Sequence, residues 1–214
     1  MNKLSGVSKS IEDQIMSGLH AGVNRHWQFT KELLRIKPEY LLTFSVADEL
    51  LKGFGNNSGM DLAIILEART RDVIFNLTID KVGQQRWIKN PKPKTKHLSD
   101  KSRVDILVSE ELSPHNRYAI EIKGFDPSAY RLKLDLLRLQ ELLDINNGDN
   151  NMLSGHLAFP THHNNLKWID KHSEAAIDSS KWSHTTTTIR HDTGEDPEDG
   201  IPCFFTNCIS VYRK

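Results

Sequence analysis

Two short segments carry carboxylates at positions where they could act together. Residues 103–109 (RVDILVS) and 117–123 (RYAIEIK) are the clearest strand sequences in the chain. Alternate side chains of a strand share a face, so Arg103, Asp105, Leu107 and Ser109 point one way and Val104, Ile106 and Val108 the other. Ala119, Glu121 and Lys123 likewise share a face, opposite Tyr118, Ile120 and Ile122. An antiparallel hairpin that pairs Ser109 with Arg117 sets Asp105 directly opposite Glu121. Facing carboxylates lie about 4.5–5.5 Å apart at Cβ and repel each other, so stability alone gives no reason for the pair. A divalent cation removes that repulsion. Mg²⁺ takes hard oxygen ligands in an octahedron, commonly one or two carboxylates with waters and a substrate phosphate. Lys123 would stand over such a site, able to orient an attacking water and to offset charge at phosphorus. The plain structural alternative is an ordinary salt bridge on a solvated sheet face.

The surrounding elements must hold these groups. Upstream, residues 8–36 read as helix, with Ile11, Ile15, Leu19 and Val23 spaced four apart. Pro38 punctuates, and residues 39–52 (EYLLTFSVADELLK) form a second amphipathic helix that stops at Gly53, with Glu39 at its positive end. Residues 62–79 alternate and are rich in Ile, Val, Thr and Phe, which predicts one or two strands. Residues 84–103 form a basic loop containing Lys92, Lys94, Lys96 and Arg103. That loop is either a solvated segment or an arm that contacts phosphates. After the hairpin, Asp126 and Pro127 signal the start of a helix over 128–144, whose apolar face runs Leu132, Leu136, Leu139, Leu143. Residues 153–159 follow as an apolar strand, parallel to 117–123 through a right-handed crossover. Residues 165–177 are expected as helix, 185–190 and 201–212 as strand, and 191–200 as an acidic loop.

Asp105, then Glu121-Ile122-Lys123, on two successive strands before a helix and another strand, resembles the PD-(D/E)xK nuclease superfamily, the restriction-endonuclease-like fold. The resemblance covers about residues 39–159 and implies an αβββαβ core that hydrolyses phosphodiesters with Mg²⁺ or Mn²⁺. It makes Asp105 and Glu121 metal ligands, adds the backbone carbonyl of Ile122, and makes Lys123 the catalytic lysine. Val104 stands where the motif name has proline. Relatives often add a glutamate from the first core helix; Glu39 is the preferred equivalent, with Glu49 and Glu67 as rivals. The family expectation for substrate is duplex DNA, with DNA preferred over RNA.

Composition bounds this reading. The 28 basic and 28 acidic residues cancel, which excludes a polybasic tail or an acidic disordered solvator. Nucleic-acid contact must therefore come from local patches, the 84–103 segment and Arg131, Lys133 and Arg138 among them. Tyr40, Phe44, Trp27 and Trp87 could stack bases, although packing explains aromatics equally well. Two cysteines form no disulfide framework, and no apolar run is long enough for a membrane helix, so a cytoplasmic protein is expected. Cys203 is expected in the core, and the histidines have no zinc-finger spacing. No phosphate-binding glycine loop occurs, which disfavours a nucleotide-dependent enzyme. The expected organisation is one α/β domain over 1–214, with a mixed central sheet flanked by helices, an N-terminal helical extension at 1–37 and an addition at 160–214. A chain of this size has little room for a separate target-reading domain, so a homodimer or a partner protein is plausible. The alternative function is a non-catalytic module that binds nucleic acid or protein on a nuclease-like fold.

Overall fold

The structure is a computed structural model that describes residues 6–30, 39–55, 62–73, 95–99, 101–110, 116–145, 151–193 and 203–214. Its elements run α1 (Gly6–Thr30), α2 (Glu39–Gly55), β1 (Leu62–Arg69), β2 (Arg103–Glu110), β3 (Asn116–Ile122), α3 (Ala129–Asp144), β4 (Asn151–Thr161), α4 (Leu166–Ala176), β5 (Trp182–Asp192) and β6 (Cys203–Arg213). All six strands join one mixed sheet in the order β1-β2-β3-β4-β6-β5. Among the described residues only β3 and β4 pair in parallel, the crossover between them being α3; the other neighbours are antiparallel. Among the described residues no helix is long and apolar enough to cross a membrane.

Helices cover both faces. The spacing of Ile11, Ile15, Leu19 and Val23 gives α1 an apolar stripe, which packs with Leu42, Val46 and Leu50 of α2 against Ile106, Val108, Tyr118 and Ile120. On the opposite face Leu132, Leu136, Leu139 and Leu143 of α3 meet Leu107, Ala119, Leu157 and Ile209, and α4 adds Ile169. Gly155 on β4 allows this approach, because a Cβ there would lie 3.1 Å from Leu139 Cβ. The strands after residue 160 extend the same sheet, since β6 pairs with β4 and β5 with β6.

Several local expectations change. Residues 70–73 are helical, so the strand beginning at Leu62 ends at Arg69. Ser128 caps α3 by accepting a hydrogen bond from the Arg131 N–H, while Asp126 adopts φ 46° and turns to His162 instead. Both cysteines are free; Cys208 is the buried one, and Cys203 is only half-buried at the start of β6. Val104 packs with Ala68, Val73 and Leu98 on the α3 side, away from Ile106 and Val108, beside Glu67. Glu67 has φ 53°, which breaks the regular ladder at that point.

Candidate active site

The β2–β3 ladder positions the central pair. Ser109 lies opposite Arg117 and Ile106 opposite Ile120, and just beyond this paired stretch come Asp105 and Glu121, whose carboxylates both approach Lys123. On the other side, Leu66 pairs with Ile106 and Ala68 with Val104, while the ladder skips Glu67, whose charge still acts on Asp105. Asp105 Oδ2 accepts the Ile122 N–H at 2.7 Å, which fixes its carboxylate against the end of β3.

Lys123 lies just past β3 and gathers the acids. Its Nζ is 3.6 Å from Glu121 Oε2, 3.9 Å from Asp105 Oδ2 and 3.5 Å from Asp135 Oδ2 of α3, and it donates to the Ile122 carbonyl at 3.0 Å. Burial by itself would depress this ammonium, but Asp135, then Glu121 and Asp105, hold it above the ordinary lysine value. Glu121 is 1% exposed, and burial, followed by the neighbouring Asp105 charge, pushes its carboxyl up to about 8. Burial also raises the Asp105 carboxyl, partly offset by Lys123 and the Ile122 N–H. Burial thus disfavours the charged form of both carboxylates.

A cavity of about 360 Å³ opens beside Lys123, lined also by Glu39, Gly124, Asp126, Ser128 and Arg131. Glu39 Oε1 accepts the Gly124 N–H at 3.5 Å, and its charge acts on both Asp105 and Lys123. Glu49 is elsewhere, bonded to Ser17 and Lys52 on the far part of α2. Glu67 stays near Asp105 but pairs with Arg103 at 3.3 Å.

The predicted basic surface is represented only in part. Lys92, Lys94 and Trp87 lie outside the described residues. Lys96 is exposed, while its backbone N–H binds Glu141; Arg103 is engaged by Glu67. Arg138 does not face outward to a nucleic-acid backbone. It points into the site, its Nη1 3.0 Å from Asp135 Oδ1 and its Nη2 3.3 Å from Glu121 Oε1. Trp27 is core, whereas Tyr40 and Phe44 are exposed on α2 near Glu39. Sequence reading missed Asp135 altogether. The available signal was an aspartate beside the apolar stripe of α3, a costly placement unless a cation meets it.

A second group, Glu12, His156 and Cys208, brings three buried ligand atoms within 4.8 Å of one another, a donor set that could take a metal ion such as zinc. Hydrogen bonds already occupy it. Ser210 donates to Glu12 Oε2 at 2.6 Å and so accepts from His156 Nδ1 at 2.9 Å, while Ser154 lies 2.8 Å from Nε2. Thr187 and Lys9 donate to Glu12 Oε1. These bonds tie α1 to β4, β5 and β6.

Comparison of the chain with protein-family models, with curated proteins and with solved structures returns no match.

Proposed function

We propose that the chain is a metal-dependent nuclease with a restriction-endonuclease-like core, hydrolysing phosphodiester bonds of nucleic acid and DNA in preference to RNA. One observation carries this reading. Asp105 and Glu121 sit side by side on adjacent strands with Lys123 Nζ within 4 Å of a carboxylate oxygen of each, in the element order α2-β1-β2-β3-α3-β4. That order is the one the resemblance implies.

The residues present fit a hard divalent cation. Glu121 Oε1 is buried and accepts no hydrogen bond; its cationic neighbour is the Arg138 guanidinium at 3.3 Å, so a hard cation would supply the close partner that this oxygen lacks. Asp105, Glu121 and the Ile122 carbonyl would hold Mg²⁺ or Mn²⁺; the carbonyl keeps a lone pair beyond the one taken by Lys123. A cation bound there supplies Lewis acidity and lowers the pKa of its water.

The chain's own groups then do the rest. Lys123 is held by three carboxylates at a fixed place beside the cavity, where its N–H groups can orient a water in line with the leaving oxygen and balance charge building at phosphorus. Glu39 faces the same cavity and can take a proton from that water or hold it in place. Arg131 lines the cavity wall, and its guanidinium could meet a backbone phosphate.

A cleavage panel tests the proposal: single- and double-stranded DNA and RNA, with Mg²⁺, Mn²⁺ or EDTA, for the wild type, Asp105→Ala and Lys123→Ala. The expected result is cutting that needs metal and falls by roughly 10²-fold or more in each variant. Absence of cutting on every polymer by a folded wild type would favour the non-catalytic binding module instead.

A further inference from the structure

Helix α3 buries a charged pair against the sheet, and nothing in its apolar stripe requires one. Asp135 and Arg138 sit one turn apart, with side chains 7% and 19% exposed. Burial of such charges is tolerated only where each meets its partners. Here every carboxylate divides its oxygens between two cations. Asp135 gives Oδ1 to Arg138 at 3.0 Å and Oδ2 to Lys123 at 3.5 Å. Glu121 gives Oε1 to Arg138 at 3.3 Å and Oε2 to Lys123 at 3.6 Å. The result is a closed ring of alternating charge: Lys123, Asp135, Arg138, Glu121. Arg138 Nη2 also donates to the Arg103 carbonyl at 2.7 Å, which anchors the ring to the start of β2. Asp105 stands outside the ring, held by the Ile122 N–H.

We propose that Asp135 and Arg138 are positioning residues of the site, holding Glu121 and Lys123 in place and setting how tightly the facing carboxylates bind a divalent cation. The inference rests on the metal-dependent reading of Asp105 and Glu121 above. Its logic is a competition. Arg138 Nη2 is a cation at the very oxygen of Glu121 that accepts no hydrogen bond, so it opposes metal binding. Asp135 draws charge from Lys123 and Arg138 that would otherwise fall on Glu121 and Asp105, so it favours metal binding. The two members of one ion pair therefore act on the metal with opposite sign.

That opposition separates positioning from simple bracing. Calorimetric titration of the full chain with MgCl₂ and MnCl₂ is the measurement, with circular dichroism melting to establish that each variant is folded. Asp135→Asn should weaken metal binding roughly tenfold, Arg138→Gln should tighten it by a similar factor, and the double variant should return close to wild type. A brace that only fastens α3 to β3 predicts weaker binding in both single variants, and that outcome overturns the inference while leaving the nuclease reading intact. If Asp135→Asn does not fold, Arg138→Gln decides alone: tighter binding supports the proposal and weaker or unchanged binding sinks it. A wild type that binds neither ion removes the metal site, and both readings fall together.

Discussion

Glu121 carries an unusual electrostatic load for a residue on a central strand. Its carboxyl is almost wholly buried between Asp105, Lys123 and Arg138, and burial, then the Asp105 charge, pushes it up to about 8 against the pull of Arg138 and Lys123. A metal favours the ionised form, so binding and ionisation are linked. The sign follows from the raised value: below about 8 the metal competes with a proton, and above it the carboxylate is free. Affinity for Mg²⁺ should thus rise with pH through the neutral range and level off above about 8, with proton release detectable by calorimetry in buffers of different ionisation enthalpy. Affinity that stays flat between about pH 6 and 8 would show that Glu121 gives up no proton when the metal binds. At the same scale, Glu39→Gln should slow cleavage more than it weakens metal binding, because Glu39 faces the cavity while Asp105 and Glu121 supply the ligand oxygens. Equal losses in both quantities would make Glu39 a ligand.

Element packing decides how α2, and with it Glu39, reaches the site. The α1–α2 contact is a close one at Gly18, where an added Cβ would stand 2.4 Å from Val46 Cα and 2.9 Å from Ser45 O. Those are backbone atoms, so the clash can be relieved only by separating the helices. Gly18→Ala should cost about 3 kcal/mol in urea unfolding and shift α2 on the sheet. A loss under about 0.5 kcal/mol would mean the helices cross farther apart than the structure has them. Because Glu39 opens α2, the same substitution should also reduce cleavage, whereas Gly155→Ala, whose nearest neighbours are side-chain atoms of Leu139, should act mainly through the α3 side.

Across the whole molecule, the Glu12–Ser210–His156 network joins the first helix to the last strand, two elements at opposite ends of the chain. His156 is fully buried, and burial pushes its imidazole down to about 4. The unfolded chain takes up a proton near the ordinary value of about 6.5, while the folded one does not until about 4. Stability is therefore unaffected above about 6.5 and falls as pH drops towards 4, by about 3 kcal/mol at most. Glu12, whose carboxyl the hydrogen bonds from Ser210, Thr187 and Lys9 hold below its ordinary value despite burial, loses stability in the same direction at lower pH. Urea midpoints measured from pH 8 to 4 should show this decline, and His156→Gln should remove most of it between about 6.5 and 4. A decline that survives the substitution would place its origin elsewhere.

The hairpin was legible in the sequence, to the register. A period of two in RVDILVS and RYAIEIK, with a loop of limited length between them, leaves few pairings that keep the apolar residues together, and the one with Ser109 opposite Arg117 is the one formed. The helix beginning at Glu39 and the parallel return of β4 were legible for similar reasons, since local periodicity and crossover handedness are properties of short segments. The partners of Asp135 were not, because they depend on how α3 is rotated over the sheet, and that rotation is set by Leu132, Leu136 and Leu139 packing against residues of β2, β3, β4 and β6. Nor was the pairing of Glu67 with Arg103, or the enclosure of Cys208 with Glu12 and His156. Local sequence pattern was enough to show which residues alternate along the strands, that a helix opens at Glu39, and that RVDILVS and RYAIEIK pair antiparallel. Tertiary structure alone decided which charges share a buried space, because the electrostatics of a buried group depend on distances between elements that no local pattern encodes.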